Sequence, residues 1–336
     1  MGKKSKPRAG SMAFYPRKRA AKETPVFSSF QTGSKITGVK ALNFFGYKAG
    51  MLHLLAKNAY AKSHMSGQTM QVPCTVIECP PLRVFGIRAY GKGTYGKRVL
   101  GEVLAAKTDK HLHKRQKSLA RRKKEHKVED LEKKKEEIFE IRLLVHTNPS
   151  LTGIGKKKPE ISEIALSGSM EEQLKLAKEK LGQEIRLQEV FKEQQFVDVK
   201  AITKGFGTTG PVKRFGVKVF GRKGKYHRKP GTYGPWNPST IMFTVARAGQ
   251  HGYHARVEFN KKILMVSSDF KKISPKQGFE DYGSVKNDFL LLAGSTPGPV
   301  KRLVALREPA RKTNENAWKI SGIEFISTQG IEGAKA

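Results

Sequence analysis

The stretch VKAITKGFGTTGPVKRFGVKVFGRKGKYHRKPGTYGPWNPSTIMFTVARAGQHGYHARV, residues 199–257, contains neither Asp nor Glu but carries twelve Lys and Arg and ten Gly. Aromatic residues are interleaved: Phe206, Phe215, Tyr226, Tyr233, Trp236 and Tyr253. A segment this basic repels itself, and this much glycine leaves little with which to build an apolar core. It calls for a polyanion, and nucleic acid meets that need: glycines let backbone N–H groups approach phosphates, while Arg and aromatic faces stack on unpaired bases. The alternative is a solvated, disordered loop. Evenly spaced aromatics and the turn sequence WNP are unlike a mere linker.

Strand-like texture lies on both sides of the stretch, in FKEQQFVDVKAIT before it and HARVEFNKKILMVSS after it, so it reads as a long excursion between two strands. Further out, ITGVKALNFFGYKAGMLHLLAKN gives short apolar runs with Gly38, Gly46 and Gly50 as turn points. QVPCTVIEC, RVFGIRAYG, KRVLGEVL, DFLLLAGSTPG and PVKRLVALREP continue the pattern, and Gly322 to Thr328 closes it. Short strands punctuated by Gly and Pro argue for an all-β barrel or sandwich. From about Lys107 the chain becomes highly charged, and part of it reads as a solvated helix in which Lys133 to Lys135 face Glu136 and Glu137. SMEEQLKLAKEKLG is the clearest helix: Ser169 caps it, Glu172 closes a capping box, Gly182 stops it, and Met170, Leu174, Ala177 and Leu181 share one face. The fold class is therefore mainly β with an α+β insertion. The segments are a basic arm (1–34), a first barrel segment (35–106), the insertion (107–184), a barrel strand segment (185–204), the finger (205–256) and a second barrel segment with tail (257–336).

The 336 residues carry 65 Lys plus Arg against 29 Asp plus Glu, a formal charge of +36. Charge of this size attracts nucleic acid or anionic membrane. No apolar run approaches the roughly 18 residues of a membrane span. The start MGKKSKPRAGSMAFYPRKRA has the positive charge of a signal peptide without its apolar region, and reads as a basic arm on a cytoplasmic protein. Cys74 and Cys79 lie in a strand-like run and read as buried, reduced side chains.

Catalysis needs convergent titratable groups. His227, His251 and His254 have no neighbouring carboxylate, and an i, i+3 histidine pair is thin for zinc. Gly205, Gly207 and Gly210 match a dinucleotide fingerprint, but with Pro211 next no helix is expected to follow, so the context fails. No cofactor, metal or small-molecule substrate is expected; an RNA-processing enzyme and a transient translation factor are the runners-up. RNA suits the same residues better. The candidate contacts are Arg17, Lys18 and Arg19 in the arm; Lys204, Lys213 and Arg214; Arg222, Lys223, Lys225, Tyr226, His227, Arg228 and Lys229; Trp236; and Arg247, Gln250, His251 and Arg256. Trp236, at the tip of a stiff Pro/Gly loop, is read as presented to bases rather than folded into a core.

FKEQQFVDVKAITKGFGTTGPVKRFG resembles the signature of the universal large-subunit ribosomal protein three family, the L-three family. Phe191, Asp198, Ala201, Thr203, Gly205, Gly207, Gly210 and Arg214 match, while Phe206 stands where a basic residue is expected, with Lys204 adjoining. KYHRKPGTYGPWNPS, FTVARAGQHGYHARVEFNKKI, GFEDYGSVKNDFLLLAGSTPGPVKRLVALR and PRKRA resemble the archaeal and eukaryotic branch, and the lack of a long C-terminal extension looks archaeal. The resemblance implies a six-stranded Greek-key barrel of the translation-protein type with long rRNA-penetrating extensions. It also implies docking on large-subunit rRNA near its 3′ end, an early role in subunit assembly, and neighbouring large-subunit ribosomal proteins as partners. Trp236 would then be the tip of a finger reaching toward the peptidyl transferase centre, with His227, Arg228 and Lys229 as its flank. Such a finger is expected to take shape only on RNA.

Overall fold

The computed structural model describes residues 10–30, 38–121, 128–219, 221, 223–225, 227–228, 232–275, 277–311, 319–328 and 334–335. The chain divides into two compact units: Thr24–Ala201 with Val257–Ala336, and Met1–Glu23 with Ile202–Arg256. Strands dominate. Before the acid-free stretch come β1 (Asn43–Asn58), β2 (Thr69–Glu78), β3 (Leu82–Gly93), β4 (Gly96–Leu104), β5 (Ile138–His146), β6 (Ile161–Ala165), β7 (Glu184–Ile185) and β8 (Phe196–Ile202). Within it lie β9 (Gly205–Thr209) and β10 (Gly249–Gly252). Then follow β11 (Ala255–Ser267), β12 (Phe289–Ala293), β13 (Leu303–Arg307), β14 (Ile320–Ser327) and β15 (Ala334–Lys335).

The principal sheet runs β13-β8-β11-β12-β2-β1-β14-β15, and β13 pairs additionally with β1. β1 has neighbours along its whole length: Asn43 to Tyr47 oppose Arg307 to Leu303, Tyr47 to Lys57 oppose Glu78 to Thr69, and His53 onward opposes β14. Its first eight residues are buried throughout, and its second half alternates, with Leu52, Leu54 and Ala56 inside. The strand thus passes from a region covered on both faces to one covered on a single face.

Gly46 and Gly50, read from sequence as turn points, lie inside this 16-residue strand. A Cβ on Gly46 would fall 2.6 Å from Ile77 and 2.7 Å from Cys79 Sγ; one on Gly50 would fall 2.5 Å from the Phe279 ring. These glycines admit close neighbours rather than a change of direction.

A second sheet, β4-β3-β5-β6 with β7 against β3, joins two strands from residues 35–106 to strands of the charged insertion. Residues from both sheets share one apolar core, among them Phe44, Tyr47, Ile87, Ile141, Leu143 and Phe289. The helix Met170–Lys180 packs Leu174 and Ala177 inward and stops at Gly182, whose φ is +81°. At its start the Glu172 carboxylate accepts from the Ser169 backbone N–H at 2.9 Å. The solvated helix expected around Lys133–Glu137 is shorter and earlier, Val128–Glu132, followed by a single 3-10 turn at Lys135–Glu137. Cys74 and Cys79 are free and buried; burial pushes the Cys74 thiol up to about 12.

Two buried carboxylates of this unit are each held by several donors. Asp198 is fully buried: its Oδ2 accepts from Arg307 Nε (3.2 Å), Arg307 Nη2 (3.0 Å) and Ala310 N (2.9 Å), and its Oδ1 from Asn260 N (3.1 Å). Glu78 accepts from Lys286 N, Asn287 N and Asn287 Nδ2 at 2.7–3.0 Å and from the Tyr282 hydroxyl. Each carboxylate replaces its lost water with several donors, which is the condition for burying it.

Candidate nucleic-acid interface

The unit Met1–Glu23 with Ile202–Arg256 holds nineteen Lys and Arg and one acid, Glu23, so half of the chain's formal +36 sits in it. Its frame is a two-stranded ribbon in which Gly249, Gln250 and Gly252 oppose Thr209, Thr208 and Gly205. A register shift between Gln250 and Gly252 places His251 across from both Phe206 and Gly207, a bulge that bends the ribbon. Gly252 has φ +74°, and a Cβ there would lie 2.0 Å from the Lys204 carbonyl oxygen. Only glycine fits at that crossing.

A helix does follow the glycines at 205, 207 and 210, contrary to the expectation from Pro211: residues Pro211–Phe215 form one. Pro211 opens it, where a missing N–H costs nothing, and Gly216 closes it at φ +66°. Gly205 and Gly207 are themselves in a strand, not in a strand-to-helix turn, so the dinucleotide reading still fails.

Two arginines join the arm to the ribbon. Arg214 donates from Nε to the Gln250 carbonyl (2.9 Å), from Nη1 to Arg247 O (3.1 Å) and from Nη2 to Arg17 O (3.2 Å). Arg17 Nη1 donates in turn to Arg214 O at 3.5 Å, and its guanidinium lies 4.4 Å from the Phe215 ring centroid. Tyr15 stacks on Phe215 (6.2 Å) and meets Phe243 edge-on (6.1 Å). Burial first, then the charge of Arg17, lowers the Arg214 pKa. A hydrogen-bonded return secures the arm further: Ala20 N–H donates to Tyr253 O (2.9 Å), and His254 Nδ1–H donates to Lys18 O (3.1 Å). Burial holds the His254 ring below its ordinary pKa, in keeping with a neutral donor.

The sequence-predicted residues therefore separate into two sets. Arg214 directs its donors to carbonyls of the unit itself, Arg17 makes one long bond of that kind and lies against the Phe215 ring, and Arg256 lies over the Phe14 ring at 4.7 Å. His251 bonds Thr209 Oγ1 (3.0 Å) and packs on Phe206 at 5.0 Å. Lys18, Arg19, Lys204, Lys213, Lys223, Lys225, His227, Arg228 and Arg247 are exposed, Gln250 is half-buried, and Trp236 is 91 % exposed. Arg222, Tyr226 and Lys229 lie outside the described residues. Phe215, counted among the base-stacking aromatics, is instead buried under Arg17 and Tyr15. Tyr15 and Phe243 were missed. The signal was the YPR triplet of the arm, which sets an aromatic two residues before a cation.

Residues 205–216 and 249–252 are thus not shapeless. With Tyr15, Arg17 and Phe243 they form ribbon, helix and aromatic cluster, because arginine donors and ring faces supply the contacts that apolar side chains do not. No helix among the described residues is long and apolar enough to cross a membrane.

Fold and charge together define a mainly-β protein with an acid-poor cationic appendage, the class expected of a structural polyanion binder. The family model described as Ribosomal protein L3 matches residues 1–333. The chain is 44 % identical over 334 residues to the large ribosomal subunit protein uL3 of Methanobrevibacter smithii, covering 97 % of this chain and 98 % of that one. It is 44 % identical to that of Methanococcus vannielii (98 % and 99 % covered) and 43 % identical to that of Methanocaldococcus jannaschii (98 % and 98 %). The chain belongs to the Ribosomal protein L3 family.

Proposed function

We propose that the chain is a structural constituent of the large ribosomal subunit in the cytoplasm, binding large-subunit rRNA near its 3′ end and helping to nucleate assembly. Its family is one of structural components rather than enzymes. The observation that carries the RNA reading is the partition of charge: nineteen cations and one acid in a unit built on exposed glycine backbone. Such a surface gains free energy by releasing condensed counterions from phosphates. In this reading the fixed pair Arg17 and Arg214 shapes the unit, while Lys18, Arg19, Lys204, Lys213, Lys223, Lys225, His227 and Arg228 meet phosphate. The finger, residues 205–256, reaches toward the peptidyl transferase centre in this reading, with the exposed Trp236 as its tip aromatic.

The larger unit is the platform. The path β1-β2-β12-β11-β8-β13 with the additional β13–β1 pairing supports a six-stranded Greek-key barrel. Neighbouring large-subunit proteins are its protein partners. Sedimentation of large subunits after a high-salt wash tests the assignment: a structural constituent stays with the subunit, and a chain that washes off is a visiting factor.

A further inference from the structure

A notch of about 700 Å³ opens where the arm crosses the ribbon, lined by Arg19, Ala20, Ala21, Gly207, Gln250 and Tyr253, with Gly205 as its floor. The volume lies within the roughly 300–1,000 Å³ of sites that take a drug-sized ligand. It exists because the lining is small at three points and because the ribbon bulges beside it: Gly207 sits at φ +64° with nothing within 4 Å of where its Cβ would point. The Tyr253 side chain lies over Gly205, with its Cβ 3.6 Å and Cδ2 3.8 Å from the position a Cβ there would take.

Three kinds of group converge on this space. Tyr253 supplies a ring, Arg19 an exposed cation, and Gln250 a carboxamide. The orientation of that carboxamide is fixed by its neighbours. Nε2 donates to Gly252 O at 2.9 Å and, more weakly, to His251 O at 3.5 Å; both partners are carbonyls, so the nitrogen must face them. The remaining Oε1 is an acceptor, and among the described residues no carboxylate lines the notch.

We propose that this notch receives one unpaired nucleotide of RNA, its base against Tyr253, its phosphate at Arg19, and an exocyclic amino group of the base donating to Gln250 Oε1. The inference rests on the RNA-binding reading above and adds a ligand and a selectivity to it. A ring, a single cation and a lone neutral acceptor are the combination that recognises a base with its phosphate. An acidic peptide would place carboxylate against the Gln250 oxygen, which repels it. Because the Gln250 oxygen only accepts, the exocyclic amines of cytosine, adenine and guanine suit it, whereas uracil offers only its ring N3–H, flanked by two carbonyls that repel the oxygen.

The test titrates the full-length protein with single-stranded C8 and U8 RNA at one ionic strength, following anisotropy. The two differ in the amino group and little in stacking or charge. The expected result is C8 tighter than U8 by about fivefold to tenfold, a modest share of what a good base contact yields. Two variants attack the site differently: Gln250→Leu removes the acceptor, and Ala21→Trp fills the space without touching a hydrogen bond. In both the C8-to-U8 ratio should fall to about one. Equal affinity in the unaltered protein, or a preference that survives both variants, overturns the notch assignment while leaving phosphate binding intact. Failure to bind either RNA removes the RNA reading itself.

Discussion

The two units hold themselves together with opposite chemistry. In the larger one, buried carboxylates collect donors around a continuous apolar core: Asp198 takes four hydrogen bonds and Glu78 several more. In the smaller one the roles are exchanged. Guanidinium groups collect backbone carbonyls and aromatic faces, with a single acid in the whole unit. Both units carry a formal +18, but the larger mixes 46 cations with 28 acids while the smaller sets nineteen cations against one. The smaller unit therefore has almost no carboxylate of its own to offset its charge, which suits a surface that meets phosphate. Arginine suits this because its planar, always charged fork serves several carbonyls and a ring face at once.

The contrast can be broken most forcibly at Asp198. Asp198→Ala strands the buried Arg307 and should lower the stability of the larger unit by about 3–5 kcal/mol, read as a shifted urea midpoint. A loss under about 1 kcal/mol would show that the carboxylate is not what satisfies the arginine.

Arg214→Ala attacks the other chemistry. It should speed hydrogen exchange at the Ala20 N–H, which bonds Tyr253 O, by about tenfold, with exchange in β1 unchanged. Unchanged protection at Ala20 would mean that the arm is held by other contacts.

A smaller effect is tied to pH. Burial pushes His146 below its ordinary pKa, so the unfolded chain takes up the proton first as pH falls. Stability is then fully present above about 6.5 and declines below it, by at most about 1.4 kcal/mol per pH unit. His146→Gln should flatten that decline in urea titrations between about pH 7.5 and 5.5; an unaltered slope would assign it elsewhere. The smallest change is expected at Trp236, which is 91 % exposed. Trp236→Ala should leave the melting transition within about 0.5 kcal/mol of the parent. A large loss would place its ring in a core.

Local signals were legible. The helix at 170–180 followed from its capping box and Gly182, the strand at 320–327 from its apolar texture, and the buried thiols from their strand context. What was not legible depends on partners distant in sequence. Nothing in the run around Gly46 and Gly50 shows that Ile77 and Phe279 will crowd them, so glycine was read as a turn. Strand texture also does not name its neighbour, so the pairing of β3 with β5 of the insertion was hidden. At the site, charge counting found the basic stretch but could not distinguish an arginine facing solvent from one bonded to carbonyls. Arg17 and Arg214 look the same as Arg19 in sequence. The finger was expected to lack structure because its apolar residues are few; at its root, residues 205–216 and 249–252, that argument omitted cation–ring and cation–carbonyl contacts.

The central claim is that excess positive charge on an acid-poor unit drives association with rRNA. Measuring the affinity of the full-length protein for large-subunit rRNA across a salt series tests it most directly. The account predicts a linear fall of log affinity with log salt, about a thousandfold or more between roughly 50 and 200 mM. An affinity that stays flat over that range would contradict it.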